Sequence, residues 1–270
     1  MEQLVPLDAR DVPPEQALLV VDMKGYSQFP EAKMAPVRSD LDDILATVFA
    51  QSGLANERSD ISAYKDTGDG AIFVLPAKHT ARLIDPLLGN LNAALIRYDK
   101  YRLASAPAIR LRASVHVGPL SLPDHRGDAI NEACRLIDSD AARQAMDAAV
   151  EHSAFLAAVI SETAYRRTVG AGRTQDVEAR HLLPATARVE GKPGFEEPCR
   201  ILVPQLGPEA IRPYIKDSSN PPSGSAGAVP PQAPTPTSPG SAAMFQFNAP
   251  VTAGSMAGTI DTVHIDQRGR

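Results

Sequence analysis

The chain has 270 residues, which allows one large or two small domains, and 43% of them are hydrophobic, enough for a sizeable core. Its formal net charge of -5 argues against general binding to nucleic acid, and no apolar run approaches the roughly 18 residues of a membrane span. The first residues lack the basic-then-apolar order of a signal peptide. The two cysteines, Cys134 and Cys199, form neither a disulfide framework nor a metal-ligand pattern, so free thiols in a reducing cytoplasm are expected.

Residues 1–16 read as an N-terminal extension and 17–216 as one domain. Residues 17–22 are a continuous apolar run, as in a buried central strand. Residues 34–51 carry Val37, Leu41, Ile44, Leu45, Val48 and Phe49 at helical spacing. Strands over 61–65 and 71–75 flank Thr67-Gly68-Asp69-Gly70, a hairpin signal. A helix is predicted over 80–102, a half-buried strand over 108–117 and a helix over 128–150. A short strand follows over 157–160, then a helix capped by Ser161, and late strands at 188–189 and 200–203. The order β-α-β-β-α-β predicts an α+β fold of the ferredoxin-like, split βαβ type. From 217 to 243 the chain is rich in Pro, Ser, Ala and Gly and nearly uncharged, so a disordered linker is expected there. Residues 244–270 form a separate β-prone tail.

Two aspartates stand out. Asp22 closes the apolar strand ALLVVD, and Asp69 sits in the hairpin turn. In a split βαβ fold the first strand runs beside the hairpin, so the two carboxylates can be neighbours. Like charges that close repel unless a cation or a proton lies between them. Such a pair suits a hard divalent cation and hence phosphate chemistry. The alternative is turn chemistry alone, since Asp is common beside Gly in hairpins.

The segments VVDMKGYSQF, YKDTGDGAIFVLP, LRASVHVGPL and GDAINEACRLID occur in that order. Together they resemble the catalytic domain of class III (adenylate/guanylate) nucleotide cyclases, in a bacterial, short-armed form, over residues 17 to about 203. The resemblance implies conversion of a nucleoside triphosphate to a 3′,5′-cyclic nucleotide and pyrophosphate. It implies two Mg²⁺ or Mn²⁺ ions per site, held by Asp22, Asp69 and the Met23 carbonyl. Backbone amides of Lys24, Gly25, Tyr26 and Ser27, leading into the next helix, would cradle phosphates. Asn131 would orient the ribose, Arg135 would stabilise charge on the α-phosphate, and Lys192 would meet the terminal phosphates. Lys65 and Asp124 would read the base. A donor and an acceptor at those positions suit adenine, with cytosine second, so ATP is favoured. The family also implies a homodimer in which metals come from one subunit and Asn131 with Arg135 from the other.

Two departures stand beside that reading. The stretch between Pro119 and Gly127 is shorter than the family's hairpin arm, a shortness shared with pyrimidine cyclases, which keeps CTP and UTP open as substrates. Glu190 also stands where the family carries a lysine. The tail holds Phe245, Phe247, Val251, Ile260, Val263 and Ile265 among small and polar residues, similar to short amyloid signalling motifs of bacterial immune proteins. A role in antiphage defence and an effector with a matching C-terminal motif follow from that likeness. The second hypothesis is a nucleotide-binding module without turnover that acts through its tail.

Overall fold

Strands and helices alternate along the chain, and the computed structural model describes residues 11–58, 64–121 and 126–216, all within one unit. Seven strands form one sheet: β1 (Glu15–Met23), β2 (Tyr64–Asp66), β3 (Gly70–Pro76), β4 (Leu111–Pro119), β5 (Leu156–Ser161), β6 (Leu183–Arg188) and β7 (Glu196–Leu202). Their spatial order is β2-β3-β1-β4-β5-β7-β6. The helices are α1 (Glu31–Gln51), α2 (Ala55–Arg58), α3 (Thr80–Ile84), α4 (Leu87–Tyr101), α5 (Asp128–Asp138), α6 (Asp140–Glu151), α7 (Glu162–Arg167) and α8 (Pro208–Ile211). β1 lies between β3 and β4 and is antiparallel to both, so β1 to β4 make the expected split βαβ core of an α+β fold. β5 extends the sheet in parallel to β4, and β7 and β6 follow as an antiparallel pair.

The apolar run of β1 is continuous because helices cover both of its faces. Side chains alternate along a strand, so Ala17, Leu19, Val21 and Met23 pack towards α1 and α4, while Leu18 and Val20 pack towards Ala129, Ala133 and Ile137 of α5. Each large aliphatic side chain buried this way contributes about 1.5–3 kcal/mol. Asp22 has the parity of Leu18 and Val20 and so belongs to the α5 face of the sheet.

Several elements differ from their expected bounds, each for a local reason. Glu15 and Gln16, expected in the N-terminal extension, belong to β1. The helix expected over 80–102 breaks into α3 and α4 at Asp85-Pro86, because the residue before a proline is pushed out of the helical region. The helix expected over 128–150 breaks at Ser139, whose extended backbone ends α5 and whose Oγ accepts the Ala142 N–H at 3.2 Å to cap α6. The strand expected over 108–117 begins at Leu111 and is buried on both faces, not one. Ser114 and His116 lie under α5, where Ser114 Oγ donates to the Ala133 carbonyl at 2.7 Å. The linker over 217–243 and the tail over 244–270 lie outside the described residues.

His116 is 6% exposed, and its Nε2 lies 3.1 Å from a Glu132 carboxylate oxygen. Burial, with the charge of Arg167 in support, lowers its pKa to about 4, so at neutral pH the imidazole is uncharged. A base with its pKa lowered by folding stabilises the fold above its unfolded value near 6.5 and loses that contribution as pH falls through 4. Urea denaturation near pH 7 and near pH 4.5 should show the wild type losing about 2–3 kcal/mol more than His116→Gln over that interval. Equal losses in the two proteins would contradict this placement of His116.

Candidate functional site

Asp22 sits one residue from the end of β1, opposite Gly70 of β3 on one side and Arg112 of β4 on the other. Strand alternation puts Arg112 on the same face, and its Nε (3.0 Å) and Nη2 both donate to Asp22 Oδ2. Both contacts fall on one oxygen, so Oδ1 takes no bond from Arg112. Burial raises the Asp22 carboxyl above its ordinary range and outweighs the Arg112 charge. The nearby Asp69 carboxylate raises it further. The structure thus brings the two sequence-predicted carboxylates together.

The hairpin tip is shaped by its own residues. Asp66 Oδ1 accepts the Gly68 N–H at 2.7 Å, and Gly68 has φ +89°, a turn conformation that glycine adopts without strain. A Cβ on Gly70 would lie 1.9 Å from the Val21 carbonyl oxygen, so glycine is what lets β3 approach β1 beside Asp22. The Met23 N–H donates to the Asp69 carbonyl at 3.0 Å, pinning the tip to β1. In an extended residue N–H and C=O point to the same side, so the Met23 carbonyl also faces the hairpin.

The segment after β1 differs from the expected phosphate cradle. The Lys24 N–H is already given to the Arg110 carbonyl at 2.9 Å, and Lys24 Nζ pairs with Asp147 at 3.1 Å. Gly25 takes φ +73° and leads into a single 3₁₀ turn, Tyr26–Gln28. α1 starts only after Phe29 and Pro30, so the amides of Gly25, Tyr26 and Ser27 do not open a long helix.

A second group gathers around α5. Asn131 is exposed, and the Arg135 guanidinium lies 5.6 Å from the centre of the Phe195 ring. Lys65 is exposed on the edge strand β2, and Lys192 lies in the turn joining β6 and β7, its N–H bonded to the Val189 carbonyl at 3.0 Å. Burial and Asp138 raise the pKa of the Cys134 thiol, while the charges of Lys65 and Lys192 both oppose them, so both ammonium groups act on this face of α5. Among the described residues no hydrogen bond or ion pair joins Asn131, Arg135, Lys65 or Lys192 to Asp22 or Asp69. Within the chain, Arg112 is the cation paired with Asp22 among the described residues. Asp124 lies outside the described residues.

Two residues were missed by sequence reasoning. Arg112 is a lone cation in an apolar strand, and the β1–β4 register is what reveals its partner. Arg38 is a cation on the apolar stripe of α1, 8% exposed, and its Nη2 donates to Tyr64 Oη at 2.9 Å and to the Gly70 carbonyl at 3.1 Å. A hollow of about 660 Å³ between α1 and α4, lined by Asp40, Ile44, Tyr98 and Tyr101 among others, includes neither aspartate.

Among the described residues no cluster of three or more His, Cys, Asp or Glu side chains suited to a metal is present. Two carboxylates and a backbone carbonyl are instead the sparse oxygen set with which Mg²⁺ is commonly held, its other positions going to water and substrate phosphate. The donor set fits that ion and Mn²⁺.

No protein-family model matches the chain, and no curated protein matches it. Solved structures do. The catalytic core of a rhodopsin-guanylyl cyclase with converted specificity, in complex with ATPalphaS, is 15% identical over 72% of this chain and 97% of that one, with a TM-score of 0.46. An adenylate/guanylate cyclase/hydrolase from Silicibacter pomeroyi is 20% identical over 71% and 98%, also at 0.46. A bacterial light-regulated adenylyl cyclase is 14% identical over 77% of this chain and 59% of that one, at 0.49.

Asp69→Asn removes the like charge beside Asp22. In metal-free buffer the variant should melt at or above the wild-type temperature, a gain of up to about 1 kcal/mol. Mn²⁺ at about 100 times its Kd should add about 2.7 kcal/mol to the wild type and nothing to the variant. Equal stabilisation of both by Mn²⁺ would mean that the aspartates do not hold the ion.

Proposed function

We propose that the chain is a nucleotide cyclase, converting a nucleoside triphosphate to a 3′,5′-cyclic nucleotide and pyrophosphate at a site shared between two copies. The observation that carries this reading is the β1–β3 register, which sets Asp22 opposite Gly70, the residue after Asp69, with Arg112 bonded to Oδ2 alone. Mg²⁺ or Mn²⁺ bound there supplies Lewis-acid stabilisation of the attacking oxygen and of triphosphate charge. Asp22, Asp69 and the Met23 carbonyl would hold the metal. The 3′-oxygen attacks the α-phosphorus as the bond to the β-phosphate oxygen breaks, pyrophosphate leaves, and the hydroxyl proton passes to water. Asn131 of the second copy orients the ribose, and its Arg135, held by Phe195, faces the charge that grows on the α-phosphate. Lys65 reads the base together with Asp124, and Lys192 meets the terminal phosphates. ATP is the favoured substrate, with CTP and UTP the alternatives.

A second reading, a nucleotide-binding module without turnover, is favoured by the Arg112 ion pair on Asp22 and by Glu190 beside Lys192. In either reading the tail over 244–270 recruits a partner with a matching segment, in a cytoplasmic, defence-related role.

Incubation of the full chain with each of the four NTPs and Mn²⁺ should give a cyclic product, and Asp69→Ala should lower its rate about 100-fold or more. Asp69→Ala and Arg135→Ala proteins, each inactive alone, should regain activity when mixed. Nucleotide binding without product from any NTP would establish the second reading, and failure of the mixture to recover would rule out the shared site.

A further inference from the structure

Arg38 is a charged side chain on the stripe of α1 that otherwise holds Val37, Leu41 and Leu45, and it is more than nine-tenths buried. A cation at such a depth needs its charge offset by nearby carboxylates and acceptors, which Arg38 has through Nη1 and Nη2, while among the described residues its Nε is without a hydrogen-bond partner. Asp42, one turn further along α1, pairs with Nη1 at 2.7 Å. The other partners all belong to the hairpin that carries Asp69. Nη2 donates to Tyr64 Oη at 2.9 Å at the start of β2 and to the Gly70 carbonyl at 3.1 Å at the start of β3. It also lies 3.3 Å from Asp66 Oδ1, the oxygen that shapes the turn through Gly68. The Gly70 carbonyl accepts the Thr67 N–H as well, at 3.3 Å, so the guanidinium completes the bonding of the residue that follows Asp69 and faces Asp22.

Resting on the cation-binding role given above to Asp22 and Asp69, we propose that Arg38 is a positioning residue for that centre. It joins α1 to both arms of the hairpin and fixes the distance at which the Asp69 carboxylate stands from Asp22. Arg38 does not touch the ion or the substrate. Its planar fork sets Nη1 on Asp42 of α1 and Nη2 on the hairpin at once, a two-nitrogen span that a lysine's single nitrogen does not reproduce. Among the described residues the tip is also tied to β1 by the bond from the Met23 N–H to the Asp69 carbonyl, beside the end of the β1–β3 ladder.

The test is Mn²⁺ binding to the full chain, followed by the paramagnetic resonance of the free ion, with far-UV circular dichroism confirming that each variant is folded. Arg38→Lys should bind Mn²⁺ about 10–100-fold more weakly than wild type, the range for residues that orient metal ligands. Asp66→Ala, at an exposed position that does not endanger the core, should weaken binding by a smaller factor. It should do so without changing nucleotide binding measured in the absence of metal. Folded Arg38→Lys and Asp66→Ala proteins with wild-type Mn²⁺ affinity would overturn the positioning role and leave the aspartate site intact. A wild type that binds no Mn²⁺ would overturn both.

Discussion

The antiparallel pairing of β1 with β3 is the constraint on which the rest of the site depends. It sets Asp22 opposite Gly70, and Gly70 follows Asp69 directly, so register alone brings the two carboxylates to one end of the sheet. The register is strongly specified because both faces of β1 are buried. A slip of one residue would turn Asp22 into the core under α1 and bring Val21 to the α5 face. The close approach also requires that position 70 carry no side chain, given the Val21 oxygen behind it.

The electrostatics follow from that placement. A half-buried carboxylate next to another carboxylate is poorly solvated and repelled, and burial is the larger of the two effects on Asp22. Arg112 offsets part of this from the β4 side but takes only one oxygen. The remaining deficit of positive charge lies between Asp22 and Asp69, where a divalent cation would be held by oxygen donors alone. The cationic residues of α5 and the β6–β7 turn do not relieve it within the same chain.

Much of the architecture was legible because it rests on periodicity. The two-sided burial of β1, the amphipathic α1 and α4 and the glycine-bounded hairpin all leave direct marks in the residue order. What was not legible depends on partners distant in sequence. The burial of Ser114 and His116 requires α5 to lie over β4, and no pattern within β4 states that. The occupied Lys24 amide requires the β4 side of the sheet to reach Arg110. Nothing near Arg38 or Arg112 in the sequence names their distant acceptors, which only the tertiary structure supplies. The breaks at Pro86 and Ser139 were readable in principle, since a proline and a capping serine mark them, but the hydrophobic stripe runs through both.

The central claim is that Asp22 and Asp69 form a strained carboxylate pair that a divalent cation relieves. A carbon-13 chemical-shift titration of the Asp22 carboxyl, in the metal-free full chain and again with saturating Mg²⁺, tests it most directly. The account predicts a metal-free midpoint above the ordinary aspartate value that falls below that value when Mg²⁺ is added. A midpoint at the ordinary value, unmoved by Mg²⁺, would contradict it.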